Sequence, residues 1–287
     1  SLKERDYCEN PICSDGHSFI GNSPAKAKLD YIETWKRFAD YFKKLGYTEI
    51  KRYPSVARWN PTTDFTIASI SAFQPYVVSG EIQPPANPLI IPQFCLRFND
   101  IDNVGITNHN VGFIMQGQHA FIDKKKFDMN NYFSEIYGWL TNVLKIPKDE
   151  LIFNEDVWAG GGNFGSCIEY FSRGLEIGNQ VYMEFEQLPK GYRELDIKVL
   201  FMGEGLERTS WFSQGCLTNY DAAFPTVMKK LYKISELKLD KEFLSKFYQY
   251  SAFLNLDEIV NIENSWNFVA KKLNKNVNEL KKEIMPL

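Results

Sequence analysis

Several features that would assign a function class by themselves are scarce in this sequence. The 287 residues carry only five cysteines, too few in a chain of this length for a disulfide scaffold, so we expect reduced thiols in a cytosol. No run approaches the roughly 18 apolar residues of a membrane span, and the N-terminus lacks the apolar segment of a signal peptide. The formal net charge of −3 excludes a global basic field for nucleic acid, although local positive patches remain open.

The composition favours a folded protein with a large core. Hydrophobic residues make up 44% of the sequence and aromatic residues 15%, which is too much for a disordered chain. The length exceeds that of a typical single domain. The chain starts at Ser1 without a methionine, so we expect a piece of a longer protein.

Apolar spacing divides the chain into three stretches, residues 1–24, 25–225 and 226–287. The first is short, polar and rich in turns. The second opens with an amphipathic helix predicted over Ala25–Leu45, with Gly46 as its stop. A strand predicted over Glu49–Tyr53 follows, and a second helix is predicted from about Met129 to Leu144. The remaining β-rich runs are Leu89–Ile91, Cys95–Phe98, Gly112–Met115, Gln180–Phe185 and Ile197–Phe201.

Strands that do not alternate regularly with helices predict an α+β fold, with a largely antiparallel sheet flanked by helices. The third stretch has apolar residues at three- and four-residue spacings, which is typical of helices. The helices predicted there are Lys229–Ile234, Asp240–Phe253, Ile262–Leu273 and Asn276–Ile284.

The most informative motif runs from Pro92 to Gly105 and continues to Met115. A strand that bears Arg97, a polar loop and a return strand that bears Phe113 can together bind ATP. The guanidinium would pair with a phosphate oxygen and the ring would stack on adenine. Taken alone, Arg97 is more often one half of a structural ion pair.

This stretch resembles motif 2 of class II aminoacyl-tRNA synthetases, and Gly203-Glu-Gly-Leu-Glu-Arg208 resembles motif 3. The match is to the archaeal alanyl-tRNA synthetases, and it extends over nearly the whole chain. Further segments that carry it are Tyr53–Trp59, Phe73–Pro75, Ser79–Glu81, Pro84–Pro88, Trp158–Gly162 and Trp211–Gly215. The resemblance implies a class II catalytic domain over residues 25–225 and the start of a helical tRNA-recognition region over 226–287. Residues 1–24 would be part of a zinc-ribbon-like segment.

The resemblance also implies site residues. Arg97 and Arg208 would be catalytic, since adenylate formation requires two anions to be held together and their charge to be neutralised. ATP and Mg²⁺ would be the cofactors. The residues implied for ATP are Arg97, Asp100, His109, Phe113, Met115, Gly205 and Arg208. The residues implied for alanine are Trp158, Asn179, Phe201 and Gly203.

Two departures from the family pattern fall in these motifs. The family's motif 3 carries an aspartate for the substrate ammonium where this chain has Phe201, and Glu204 is expected on the other side of the turn. Phenylalanine cannot pair with an ammonium, and an unpaired buried charge is costly. The motif 2 loop is one residue shorter and lacks two arginines, one of them replaced by Ile106. Ile114 stands in place of a glutamate.

Cys8, Cys13 and His17 are the candidates for a metal site at the N-terminus. Zinc takes cysteine and histidine at such spacings, but closed structural sites take four ligands, and the family's upstream cysteine pair is missing here. We therefore favour no metal over zinc.

The sequence thus predicts ATP-dependent activation of alanine and its transfer to tRNA(Ala), in the cytoplasm, by the core of an alanine–tRNA ligase. Alanine, ATP and tRNA(Ala) are the expected partners, and no membrane is expected. Two alternatives stay open, which are a diverged paralogue with lost or altered amino-acid specificity and a non-catalytic module that binds tRNA or another partner. The lysines of the third stretch suit tRNA, although a solvated lysine-rich face is more common.

Overall fold

A computed structural model describes residues 4, 6–8, 10–236, 240–255 and 261–285. Parts of the predicted first and third stretches, residues 1–3, 5, 9, 237–239, 256–260 and 286–287, lie outside the described residues. The strands are β1 (Thr48–Glu49), β2 (Leu89–Leu96), β3 (Gly112–Asp123), β4 (Ile152–Gly160), β5 (Asn163–Ser172), β6 (Leu175–Gln187) and β7 (Tyr192–Gly205). The α-helices are α1 (Pro11–Ser14), α2 (Tyr31–Lys44), α3 (Met129–Gly138), α4 (Leu206–Gln214), α5 (Asn219–Ala223), α6 (Pro225–Ser235), α7 (Lys241–Tyr250), α8 (Ile262–Lys272) and α9 (Val277–Ile284).

The strands form one sheet in the order β1-β2-β3-β7-β6-β5-β4. Only the short β1 is parallel to its neighbour, β2, and every other pair is antiparallel. The predicted α+β class with a largely antiparallel sheet is therefore confirmed. No helix in the described part of the chain is long and apolar enough to cross a membrane.

Helices cover one face of the sheet. Phe38 and Phe42 of α2 and Trp211 of α4 pack with Trp139, which follows α3, and with Met202 of β7. On the other face, Phe73 and the 3-10 turn Ser69–Ala72 pack on β2, β6 and β7. Because side chains alternate along a strand, consecutive residues of β7 contact different cores.

Two predicted elements differ from the structure for local reasons. The helix predicted over Ala25–Leu45 is α2 and starts at Tyr31, because the Asp30 side chain accepts a hydrogen bond from the Glu33 amide and caps the helix there. In place of the strand predicted over 49–53, β1 covers only Thr48–Glu49, followed by one more backbone hydrogen bond from the Ile50 amide to the Ile90 carbonyl. The Gln93 side chain binds both the amide and the carbonyl of Tyr53, so these groups do not join the ladder.

Other elements are longer than predicted. The two runs on either side of Pro92 form the single strand β2, and β3, β6 and β7 extend well beyond their predicted ends. Strands β4 and β5 were not predicted. The helix predicted from Met129 runs as α3 and then continues as a π turn, Trp139–Val143.

The last three helices have a core of their own. Leu244 and Phe247 of α7 pack with Trp266 of α8 and Leu280 of α9. Ile106, from the loop between β2 and β3, packs against this cluster. The helical region therefore contacts the loop that the sequence associates with ATP.

Candidate active site

A cavity of about 280 Å³ opens on the sheet where β3, β6 and β7 run side by side. It collects residues that are far apart in the sequence, from Ala68 to Asn219. Every residue predicted for the ATP and alanine sites lines it, namely Arg97, Asp100, His109, Phe113, Met115, Trp158, Asn179, Phe201, Gly203, Gly205 and Arg208. Their individual roles stay predictions.

Two arginines line one end of the cavity. The Arg97 Nε donates to the Ile67 carbonyl at 2.9 Å, and the guanidinium carbon lies 5.1 Å from the centre of the Phe113 ring. Arg208 Nη1 donates to the Glu176 carbonyl at 3.1 Å and pairs with its carboxylate at 3.3 Å. Burial lowers the pKa of Arg97 from its usual value, but an arginine in a protein stays charged. This end can therefore neutralise an anion.

The loop after β2 is fastened to α5. The Tyr220 hydroxyl accepts from the Gly105 amide at 3.1 Å and donates to the His109 carbonyl at 2.6 Å. The Asn219 amide donates to the Asn108 side chain at 2.8 Å. His109 Nδ1 lies 2.6 Å from the Thr107 hydroxyl. These contacts, with the packing of Ile106 on the helical core, hold the loop in one place.

Sequence reasoning missed the contributions of Asn219, Tyr220, Glu176 and Glu207 to this site. Asn219, Glu176 and Glu207 line the cavity, and Tyr220 lies behind the loop. Both Glu207 oxygens accept from the Ile114 amide at 3.1 Å, and Tyr31 donates to one of them. Burial raises the pKa of Glu207 to about 7. Only Glu207 had a signal in the sequence, because it belongs to the motif quoted above.

The other end of the cavity is apolar. Phe201 is 2% exposed, and its ring centre lies 4.9 Å from that of Trp158 and 6.2 Å from that of His119. A Cβ on Gly203 would lie 2.8 Å from the Met115 sulfur, so only glycine allows methionine to approach the strand this closely. The two aromatic rings and the Met115 side chain thus form the walls of this end.

The two ends of the cavity lie at different positions along β7. Phe201 pairs with His119, Gly203 with Gly117 and Gly205 with Met115. Four residues of antiparallel strand span about 13 Å, which is the distance along β7 from the apolar end to the arginine end.

Glu204 lies on the opposite face of β7; the sequence predicts the other side of a turn, but the strand continues to Gly205. It is 1% exposed, and it accepts hydrogen bonds from Gln116, Trp139, Tyr170 and Thr209. Burial raises its pKa to about 7. Glu204 therefore does not face the cavity.

The N-terminal candidates for zinc are not gathered into one site. The sulfurs of Cys8 and Cys13 lie 3.6 Å apart, whereas the His17 ring packs edge-on against Trp211 with centres 5.3 Å apart. Burial lowers the pKa of His17 to about 3, and Arg208 and His109 add to the effect. Among the residues that the structure describes, no group of three or more histidine, cysteine, aspartate or glutamate side chains could hold a metal ion.

Known proteins resemble this chain over most of its length. The family model for class II (A) tRNA synthetases matches residues 33–287. The alanine–tRNA ligase of Methanocella arvoryzae is 52% identical over 285 residues, which cover 97% of this chain and 32% of that protein. The alanine–tRNA ligase of Nitrosopumilus maritimus is 42% identical over 247 residues, which cover 85% of this chain and 28% of that protein.

A third relative, the alanine–tRNA ligase of Methanopyrus kandleri, is 38% identical over 99% of this chain and 32% of its own length. The chain thus spans about a third of the length of these relatives. Since the family model matches well over half of the chain, this chain belongs to the class II (A) tRNA synthetase family.

Proposed function

We propose that this chain is the adenylate-forming core of an alanine–tRNA ligase. In this proposal it joins the carboxylate of alanine to the α-phosphate of ATP, and the alanyl group then passes to tRNA(Ala). The observation that carries the proposal is the convergence of Arg97, Phe113 and Arg208 at one end of a cavity whose other end is walled by the rings of Phe201 and Trp158. The named relatives act as chains about three times as long, so the activity of this chain is inferred.

The chemistry would need no general base. A carboxylate oxygen attacks the α-phosphorus, a C–O–P bond forms, and the bond to pyrophosphate breaks without a proton transfer. Arg97 would pair with the carboxylate and an α-phosphate oxygen as charge develops, and Arg208 would hold the nucleotide. Most of the rate would come from positioning the two anions.

Other groups would bind the rest of the nucleotide. Phe113 would stack on adenine beside Arg97, and His109 would lie near the phosphate tail. Mg²⁺ usually keeps several waters and uses one or two carboxylates with substrate phosphates. Glu176, which lies beside Arg208 on the cavity wall, is a carboxylate that fits this use. Asp100, Met115 and Gly205 would complete the ATP site, while Trp158, Asn179, Phe201 and Gly203 would contact the acid.

The helical region would provide part of the tRNA contact. Residues 226–287 would begin the recognition region, 25–225 would form the catalytic domain, and 1–24 would be an N-terminal appendage. Basic residues favour contact with phosphates. The lysines that support this role are Lys229, Lys230, Lys233, Lys271, Lys272, Lys281 and Lys282. We place this activity in the cytoplasm, where tRNA is charged.

A second candidate is a diverged paralogue with altered amino-acid specificity. Phe201 favours it, because this buried ring stands where the resemblance implies a carboxylate for the substrate ammonium. Both candidates share the ATP-dependent step and differ in the acid.

The shared step is tested by ATP binding and by ATP–pyrophosphate exchange. We expect the chain to bind ATP measurably in calorimetry, and Arg97→Ala to weaken binding at least tenfold, because a charged hydrogen-bond partner is lost. Arg193→Ala is the matched control, because Arg193 is exposed on β7 and outside the cavity. If the chain binds tRNA but not ATP, the proposal is wrong and the binding-module alternative replaces it.

A further inference from the structure

The apolar end of the cavity has a composition that restricts which acid it can hold. Phe201, Trp158 and Met115 supply its walls, and Gly203 contributes no side chain. An α-ammonium placed here would lose much of its hydration. A charge that leaves water needs an opposite charge or several hydrogen-bond acceptors.

Carboxylates do line the cavity, but they lie away from its apolar end. Glu176 pairs with Arg208, and Glu207 is bound by the Ile114 amide and Tyr31. Asp100 belongs to the turn that follows Arg97. The remaining cavity carboxylate in the described residues is Glu169 on β5. In the sheet it lies opposite Asn179 on β6, which lies opposite Gly203 on β7. Glu169 also lines a second cavity together with Glu176 and Arg208, and that cavity includes neither Phe201 nor Trp158.

An aromatic ring can also bind a cation, but only over an open face. Phe201 offers none, since it is 2% exposed and packed with Trp158 and with His119. His119 is fully buried, and burial lowers its pKa to about 3. Neither residue supplies a counter-charge for an ammonium.

Asn179 offers a different kind of contact. It lines the cavity on β6 directly beside Gly203. A side-chain amide has both donors and an acceptor, so it can serve a hydroxyl in either direction. To an ammonium it offers a single neutral oxygen and no charge.

We infer that this end of the cavity takes a small monocarboxylic acid with an uncharged α-substituent, foremost a 2-hydroxy acid of the size of alanine, in preference to zwitterionic alanine. Phe201 is the residue that determines this specificity, and Asn179 meets the hydroxyl. The inference rests on the ATP-dependent step that both candidate functions share, and it favours the second candidate, because it assigns that step an acid other than alanine. The reaction is otherwise the same: the acid carboxylate attacks the α-phosphorus of ATP, displaces pyrophosphate and forms an acyl-adenylate.

The first test compares acids on the unmodified chain. ATP–pyrophosphate exchange is measured with L-lactate, propionate and alanine at neutral pH. We expect kcat/KM for lactate or propionate to exceed that for alanine at least tenfold. A smaller ratio, or exchange that alanine alone supports, overturns the inference and leaves the proposed function intact. If no acid supports exchange although ATP binds, both the inference and the adenylate-forming step of the proposed function are wrong.

The pH dependence gives a test that needs no variant. As pH rises and the alanine ammonium loses its proton, the ratio of alanine to lactate exchange should increase several-fold. A ratio that does not change with pH contradicts the exclusion of a charge. Absence of ATP binding at any pH would instead overturn the proposed function itself.

Phe201→Asp tests the residue. This variant should reverse the preference toward alanine at least tenfold, whereas Phe201→Leu, which stays apolar, should keep the original order. Because a buried aspartate can prevent folding, both variants are first checked by thermal unfolding and ATP binding. If Phe201→Asp does not fold, Phe201→Leu carries the test, and a preference for alanine in that folded variant contradicts the assignment.

Discussion

The two faces of strand β7 use adjacent residues for different purposes. Phe201, Gly203 and Gly205 line the cavity and carry no charge, whereas Glu204 lies between the two glycines and is buried under the helices. Four side chains donate hydrogen bonds to Glu204. A carboxylate within the motif thus contributes to the packing of the helix face and not to the cavity.

The largest effect is expected from removing this buried carboxylate. Glu204→Leu leaves four donors without their acceptor in the core, so the free energy of unfolding should fall by about 3–5 kcal/mol. Urea denaturation at 25 °C measures it. Glu155→Leu, on the exposed part of β4, is the control and should change stability by less than about 0.5 kcal/mol. If Glu204→Leu lowers the free energy of unfolding by less than about 1 kcal/mol, the packing of the helices on the sheet does not depend on the Glu204 carboxylate.

The pH dependence of stability should reveal the same group. Burial raises the pKa of Glu204 from 4.5 to about 7, so the folded state holds the proton more tightly than the unfolded state. Its contribution is fully present below pH 4.5 and is lost as the pH rises through about 7, which amounts to about 3 kcal/mol.

Glu204→Gln cannot titrate, so its unfolding free energy should decline less than that of the unmodified chain between pH 4.5 and 7.5. The measurement is a series of urea titrations across this range. Glu155→Gln should follow the unmodified chain. Parallel curves for Glu204→Gln and the unmodified chain would contradict the raised pKa.

On the cavity face, the smallest change is a single methyl group. Gly203→Ala places a Cβ 2.8 Å from the Met115 sulfur, and the flexible methionine must move into the cavity. We expect a loss of stability of about 1 kcal/mol and a several-fold loss of exchange activity. Gly205→Ala, whose Cβ would keep 3.4 Å from its nearest neighbour, should be less destabilising. Equal stability of the two variants would argue against the close packing of Met115 on Gly203.

Sequence reasoning worked best where a local pattern repeats. The apolar spacing of α2 identified its buried face, but the start of the helix depended on one side chain, Asp30, that accepts from the Glu33 amide. The strand predicted over 49–53 has a suitable pattern. It does not form beyond Glu49 because the Gln93 side chain, 40 residues away, binds the Tyr53 backbone.

The candidate site followed from motifs, and all eleven implied residues meet at one cavity. The residues that were missed act through long-range contacts. Tyr220 holds the loop at Gly105 and His109 across more than a hundred residues, and no local spacing announces such a contact.

The sequence by itself determined the antiparallel α+β class and the residues of the two motifs, because strand runs without regular helix alternation favour that class and a motif is local in the chain. Tertiary structure alone decided what surrounds each of them. Trp158 and His119 become neighbours of Phe201 only when β3, β4 and β7 share one sheet. That uncharged rings pack against Phe201 is a property of that assembly, since burial and pairing depend on residues brought together from the whole chain.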